Sequence, residues 1–233
     1  MGSINWERWA RGAGVGFVLF SIAAFVVGGE PPKISDPAAV VVSYFDGDRS
    51  QVLVSSFLYA VALGFWIWFG GALANTLRNR GEGRVAATII GAVSAFVAVQ
   101  LVAASTNVML AHSIAREGDE GVVQALYDLT WGLDLVAAIP SAVFFLAASV
   151  GLMRTSLIPA WLSWAGIGVA ALFILRSTNL ARDGFWSPTG EYLFILIPLA
   201  LLWILVTSIV LVRSTPASSI EQPGGSARQR YEA

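Results

Sequence analysis

Cysteine is absent from the 233 residues, and there is one histidine, His112, and one lysine, Lys33. No disulfide, thiolate metal site or thiol nucleophile is therefore available. A lone histidine supplies neither a zinc site nor the paired axial ligands of a haem. Lys33 lies in a loop, which excludes an intramembrane Schiff base. Charge is the second scarcity. Only 12% of residues are charged, about half the share of a soluble globular chain, whereas 56% are hydrophobic. The arginines are scattered among short loops and form no basic stripe, which argues against nucleic acid as a partner. Neither GxxxxGK[ST] nor HExxH occurs. His112 and Ser113 are adjacent, and adjacent helical residues face different directions, so they are no catalytic dyad. The triplet Asp46-Gly47-Asp48 lacks the other ligands of a calcium loop and reads as a solvated turn. These absences leave no metal ligand set, no cofactor and no enzyme signature.

What the chain does contain is long apolar runs. A helix crossing the hydrocarbon core needs about 20 mostly apolar residues. Six stretches meet this, over residues 13–29, 52–77, 85–111, 126–153, 158–175 and 192–212. Each is continuously apolar, unlike the alternating strands of a barrel. A helix also satisfies its own backbone hydrogen bonds in lipid. The expected fold is all-α, a polytopic six-span transmembrane bundle over residues 1–213. Residues 214–233, rich in Ser, Pro and Gly, are expected to be a disordered cytoplasmic tail. Pro140 and Pro198 fall inside spans and predict kinks. The first run is read as a span and not as a cleaved leader, because Gly28-Gly29-Glu30 leads into Pro31-Pro32 without a small-x-small site.

Basic residues near the spans set orientation. With the N-terminus in the cytoplasm, Arg8, Arg11, Arg78, Arg80, Arg84, Arg154, Arg213, Arg228 and Arg230 lie inside, against Lys33, Arg49, Arg116, Arg176 and Arg182 outside. The acids show the opposite bias. The reading is N-in/C-in. In the first outer loop, residues 37–45 predict a short interfacial helix with Val40, Val41 and Tyr44 on one face. Phe185 and Trp186 outside, and Trp6, Trp9, Trp161 and Trp164 inside, are expected at headgroup level. The pairs Gly12/Gly16, Ala60/Gly64 and Gly91/Ala95, spaced four apart, permit close helix contact.

Ionisable groups inside a bilayer are costly and mark candidate sites. Asp134 is placed about two turns into the fourth span, in the outer third of the membrane. Arg176, at the end of the ascending fifth span, arrives at a similar depth and is followed by Asn179. Asn107, Gln100 and Tyr59 bring an amide, a second amide and a hydroxyl from the third and second spans. These six residues are the candidate ligand or ion pocket; the alternative is an ion pair fixing helix register, with the amides as interhelical glue.

The link Arg154-Thr155-Ser156-Leu157-Ile158-Pro159-Ala160-Trp161-Leu162-Ser163-Trp164-Ala165-Gly166 joins a basic helix end to a new apolar run through Pro159. It resembles the R-[ST]-x-x-[LI]-P-x-x-L-G-x-x-x-G link of a family of six-span bacterial membrane proteins described as a domain of unknown function. Ser163 stands where that family often has glycine. The likeness extends loosely over residues 10–213 and implies the same architecture and a bacterial inner-membrane location. It brings no activity or site residues. The expected function is a non-enzymatic module that binds lipid or a small ligand, or serves as an accessory to a protein partner. The alternative is a small secondary transporter with Asp134 as its coupling site, although the two halves show no clear inverted repeat.

Overall fold

The structure, a computed structural model, describes residues 6–213, with side chains from Ala10 onward. The tail 214–233 and the side chains of Trp6, Arg8 and Trp9, given roles above, lie outside the described residues. Every regular element among the described residues is helical: α1 (Trp6–Gly28), α2 (Ala38–Gly47), α3 (Arg49–Arg78), α4 (Gly83–Met109), a π-helical turn (Leu110–Ile114), α5 (Ala115–Glu117), α6 (Glu120–Arg154), α7 (Ala160–Arg176) and α8 (Tyr192–Arg213). Five stretches are helical, long and apolar enough to cross a membrane: Ala10–Gly28, Arg49–Arg78, Gly83–Glu117, Glu120–Arg154 and Tyr192–Arg213. The fifth expected span, 158–175, is realised as α7, a shorter apolar helix of 17 residues.

α1, α3, α4, α6, α7 and α8 each pack against the next in chain order, and α8 returns to pack on α1, so the six close into a ring. The interior is apolar because each helix turns one stripe inward. On α7 the stripe runs through Leu162, Gly166, Val169, Ala170, Phe173 and Arg176 at helical spacing. Aromatic rings join all six helices. Trp66 of α3 lies 4.7 Å from Phe17 of α1, 4.4 Å from Phe144 of α6 and 6.2 Å from Phe96 of α4. Phe145 of α6 continues the chain to Phe173 of α7 at 5.3 Å and Trp203 of α8 at 5.1 Å.

Close approach is set by glycines. A Cβ on Gly16 would come within 2.6 Å of the Phe65 ring, and one on Gly70 within 2.6 Å of Val93. Of the small pairs singled out from the sequence, only Gly16 belongs to such a contact. Gly64 and Gly91 have nothing within 4 Å of an added Cβ, and Gly12 meets only Val212 at 3.9 Å. Spacing by four is necessary for a groove, but it does not say which face of the helix the groove is on. The α1–α8 seam carries a hydrogen bond as well, from Ser208 Oγ to the Arg11 carbonyl at 2.5 Å.

α6 and α8 continue through Pro140 and Pro198 as unbroken helices. α6 begins at Glu120 rather than 126, with the Asp119 side chain accepting from Gly121 N at 2.8 Å as its cap. At the other end Ser156, with φ 52°, turns the chain out of α6 in the left-handed region where glycine is usual. Glu82, just before α4, and Arg154, ending α6, pair at 2.9 Å, so the 78–83 and 154–160 links share one end of the bundle.

At the opposite end α2 packs across α3, the π-helical turn, α5 and α6. Val41 and Phe45 bury themselves against Val52, Leu110, Ala111, Ala115, Val123 and Tyr127 in a second, separate apolar cluster. The helix expected here is present, but Val40 does not share a face with Val41: Val41 is buried together with Phe45 against protein, and Val40 is exposed. Tyr127 Oη donates to the Pro32 carbonyl, and Tyr44 Oη to the Gly28 carbonyl at 2.9 Å, so the loop is pinned at both ends. Burial, with the Asp48 carboxylate adding to it, pushes the Tyr44 hydroxyl pKa up and keeps it a donor. Asp46 and Gly47 form the last turn of α2, and Asp48 links it to α3, where a plain solvated turn was expected.

Candidate ligand site at the Asp134–Arg176 pair

α6 carries its core stripe through Tyr127, Thr130, Ala137, Ala138 and Ser141, and Asp134 falls within that stripe. From Glu120 to Asp134 the helix rises about 21 Å, or about four turns. The expected depth of two turns is corrected by the earlier start of α6. α7, antiparallel to it, ends at Arg176, whose Nη2 donates to Asp134 Oδ2. Asp134 Oδ1 accepts from Gln100 Nε2 of α4 at 2.9 Å. The carboxylate thus bridges three helices and spends one oxygen on each partner. Arg176 is sealed at 2% exposure, whereas the Asp134 side chain is 31% exposed. A guanidinium in so dry a place requires a counterion, and a single N–H···O bond leaves part of its fork unused.

That unused part is visible. Arg176 Nη1 is buried and has no hydrogen-bond partner. Asn179 follows in the turn that ends α7, its backbone N–H donating to the Arg176 carbonyl at 2.9 Å. Its side chain is fully buried with neither carboxamide atom paired. Tyr59 of α3 is half-buried, packs against the main core and feels the Asp134 charge. Of the six candidate residues, Asp134, Arg176 and Gln100 are joined directly, Tyr59 is within electrostatic reach, and Asn179 follows Arg176 in the chain. Asn107 lies apart: it is on the face of Gln100 but about 10 Å further along α4, and its buried Oδ1 is without a partner.

Tyr192, the first residue of α8, was not anticipated. Its hydroxyl donates to the Leu172 carbonyl at 2.7 Å and its ring lies beside Trp186 at 5.3 Å, in electrostatic contact with Arg176. A tyrosine opening an apolar run reads from sequence as an interfacial anchor, so no signal marked it. Trp186, expected at headgroup level, is half-buried. Its Nε1 donates to the Thr178 carbonyl at 3.0 Å, folding the 177–191 loop back over the end of α7. Phe185, Trp161 and Trp164 are exposed. His112 is exposed on the π-helical turn.

A protein-family model, a curated protein or a solved structure would next bear on identity. None matches this chain. Among the described residues no three His, Asp or Glu side chains converge as a metal site would require. The arrangement offers a neutralised ion pair, spare N–H donors and a free carboxamide.

Proposed function

We propose that the chain is a six-span protein of the bacterial inner membrane with both termini in the cytoplasm, and that it is a non-enzymatic module binding a small ligand or lipid head group at the Asp134–Arg176 pair. The observation that carries the reading is the asymmetry of the pair: a sealed Arg176 with an unpaired Nη1 beside a partly open Asp134. α7 is taken as the fifth of the six spans. It lies between α6 and α8 in the ring, and its return path is what lets α8 start beside Leu172. The family resemblance of the Arg154–Gly166 link is part of the same proposal. Membrane lipid surrounds the ring, whose outward faces carry Leu19, Phe25, Phe57, Val136 and Phe194 exposed.

A transporter with Asp134 as coupling site is the second reading, favoured by the partial exposure of that carboxylate. Binding is preferred because the rings of Phe144, Phe145, Phe173 and Trp203 fill the interior from within a turn of Arg176 onward.

The test uses Asp134→Asn, Arg176→Gln and the double variant, purified in micelles. Removing one partner of a buried pair costs about 3–5 kcal/mol, and the exposure of Asp134 sets the expected loss at the lower end. The double variant is expected to regain most of that stability and to lack the bound small molecule that native mass spectrometry is expected to detect on the wild type. A double variant that keeps both the bound mass and full complementation of a deletion strain would sink the reading.

A further inference from the structure

We propose that the outward face of α4 holds one zwitterionic phospholipid of the bilayer, with an acyl chain lying in a groove beside the π-helical turn. The groove has a volume of about 440 Å³ and runs along α4 past Leu101, Val102, Ser105, Thr106 and Met109. Ile114 of the π-helical turn and Leu126 of α6 line the end nearer α2. The inference rests on the reading of Gly83–Glu117 as a membrane span, and is independent of the Asp134–Arg176 pair, neither of which lines the groove. A π-helical turn accommodates an extra residue. Leu110 and Ala111 use it to join the buried cluster with Val41 and Phe45, while Met109 just before them is left 50% exposed.

The lining calls for hydrocarbon. Ser105 Oγ donates to the Leu101 carbonyl at 2.7 Å and Thr106 Oγ1 to the Val102 carbonyl at 3.0 Å, so both hydroxyl protons are spent on their own helix. From Leu101 to Met109 the helix rises about 12 Å, which is within the roughly 15 Å of one leaflet. The groove volume spread over that length gives a mean section on the order of 40 Å², under half that of a helix about 10–12 Å across. A partner helix would rest on the rim, whereas a methylene chain enters. Charge at the end nearer α2 selects the head group. Gly118 N donates to the Ile114 carbonyl at 2.7 Å, which keeps Arg116 and Glu117 within a turn of the groove, and Glu120 opens α6 ahead of Leu126. All three are exposed. One guanidinium and two carboxylates suit a head group carrying both a phosphate and an ammonium; a purely anionic one would meet an excess of its own sign.

The full chain is purified in micelles containing equal phosphatidylethanolamine and phosphatidylglycerol with identical acyl chains, and the retained lipid is read by native mass spectrometry. One phosphatidylethanolamine per chain is expected, in preference to phosphatidylglycerol. Ser105→Trp puts an indole into the groove and is expected to lower that retention about tenfold, as the loss of roughly 60 Å² of apolar contact would. Ser94→Trp, at an exposed position of α4 outside the groove, is expected to leave it unchanged. The preference of the wild type judges the inference even where a tryptophan variant does not fold. Phosphatidylglycerol retained equally or better would overturn the zwitterionic assignment. Equal losses in both tryptophan variants would overturn the groove, and wild-type dimers that Ser105→Trp turns into monomers would make a second copy its occupant. The lipid is expected to stay on the Asp134→Asn, Arg176→Gln double variant, so failure of the pair as a site and failure of the groove show separately, and thiol labelling of intact cells judges the span itself.

Discussion

Gly166 shows how much a single hydrogen atom decides in this bundle. A methyl there would lie 2.0 Å from Ser149 Oγ of α6 and 2.5 Å from Trp203 Nε1 of α8, the group that donates to the Leu162 carbonyl at 2.8 Å. Neither neighbour is the end of a flexible chain. Gly166→Ala is expected to cost about 1–3 kcal/mol through overpacking. Gly91→Ala, which meets nothing within 4 Å, is expected to be neutral or to gain up to about 1 kcal/mol of helix propensity. Thermal unfolding of the two variants in micelles checks the contrast; equal losses would refute the packing assignment. Residue type announced such positions in the sequence, but their pairing was not legible. Asp134 and Arg176 were matched by depth, because two charges of opposite sign in antiparallel neighbours have few other places to go. Gln100 reached Asp134 directly and Asn107 did not, a difference of two helical turns that periodicity alone cannot rank.

At the scale of elements, the apolar runs located the long helices, and the errors fell at their polar ends. Glu120 and Gln124 belong to α6 because the helix continues beyond its apolar stretch, where an apolar window stops counting. The buried face of α2 was missed for a related reason. Val40, Val41, Tyr44 and Phe45 admit more than one amphipathic face, and the choice is made by Tyr127 and Leu110 far along the chain. That choice has a measurable consequence. The Tyr127 and Tyr44 hydroxyls hold residues 28–32 against the helix tips. The double change Tyr127→Phe and Tyr44→Phe is expected to cost about 1–3 kcal/mol, near 1 for each net hydrogen bond. Amide exchange should rise across residues 29–37 and stay unchanged in α7. Unaltered exchange in that loop would show that apolar contacts alone retain it.

For the whole molecule, the lack of native cysteine makes orientation directly testable. Single cysteines at Asp48, Asn79, Glu117 and Asp183 all replace exposed residues. An impermeant thiol reagent on intact cells should label the first, third and fourth and spare the second. Labelling at Asn79 would reverse the proposed topology, and protection at Asp183 alone would remove α7 from the spans.

The ring closes between its first and last helices, and this bears on how the molecule is made. The ribosome delivers α1 before α8, so the face of α1 around Gly14 waits for Ser208 while the helices between them are made. Loop-closure entropy grows only with the logarithm of the intervening length, so the distance itself is a modest penalty. The order of events matters more. A nascent chain ending before Tyr192 holds its other helices around an open side, and the groove left on α1 fits the α8 of any copy equally well. Exchange of α8 between two crowded nascent chains would reproduce every native contact, making swapped dimers the natural misassembly of this fold.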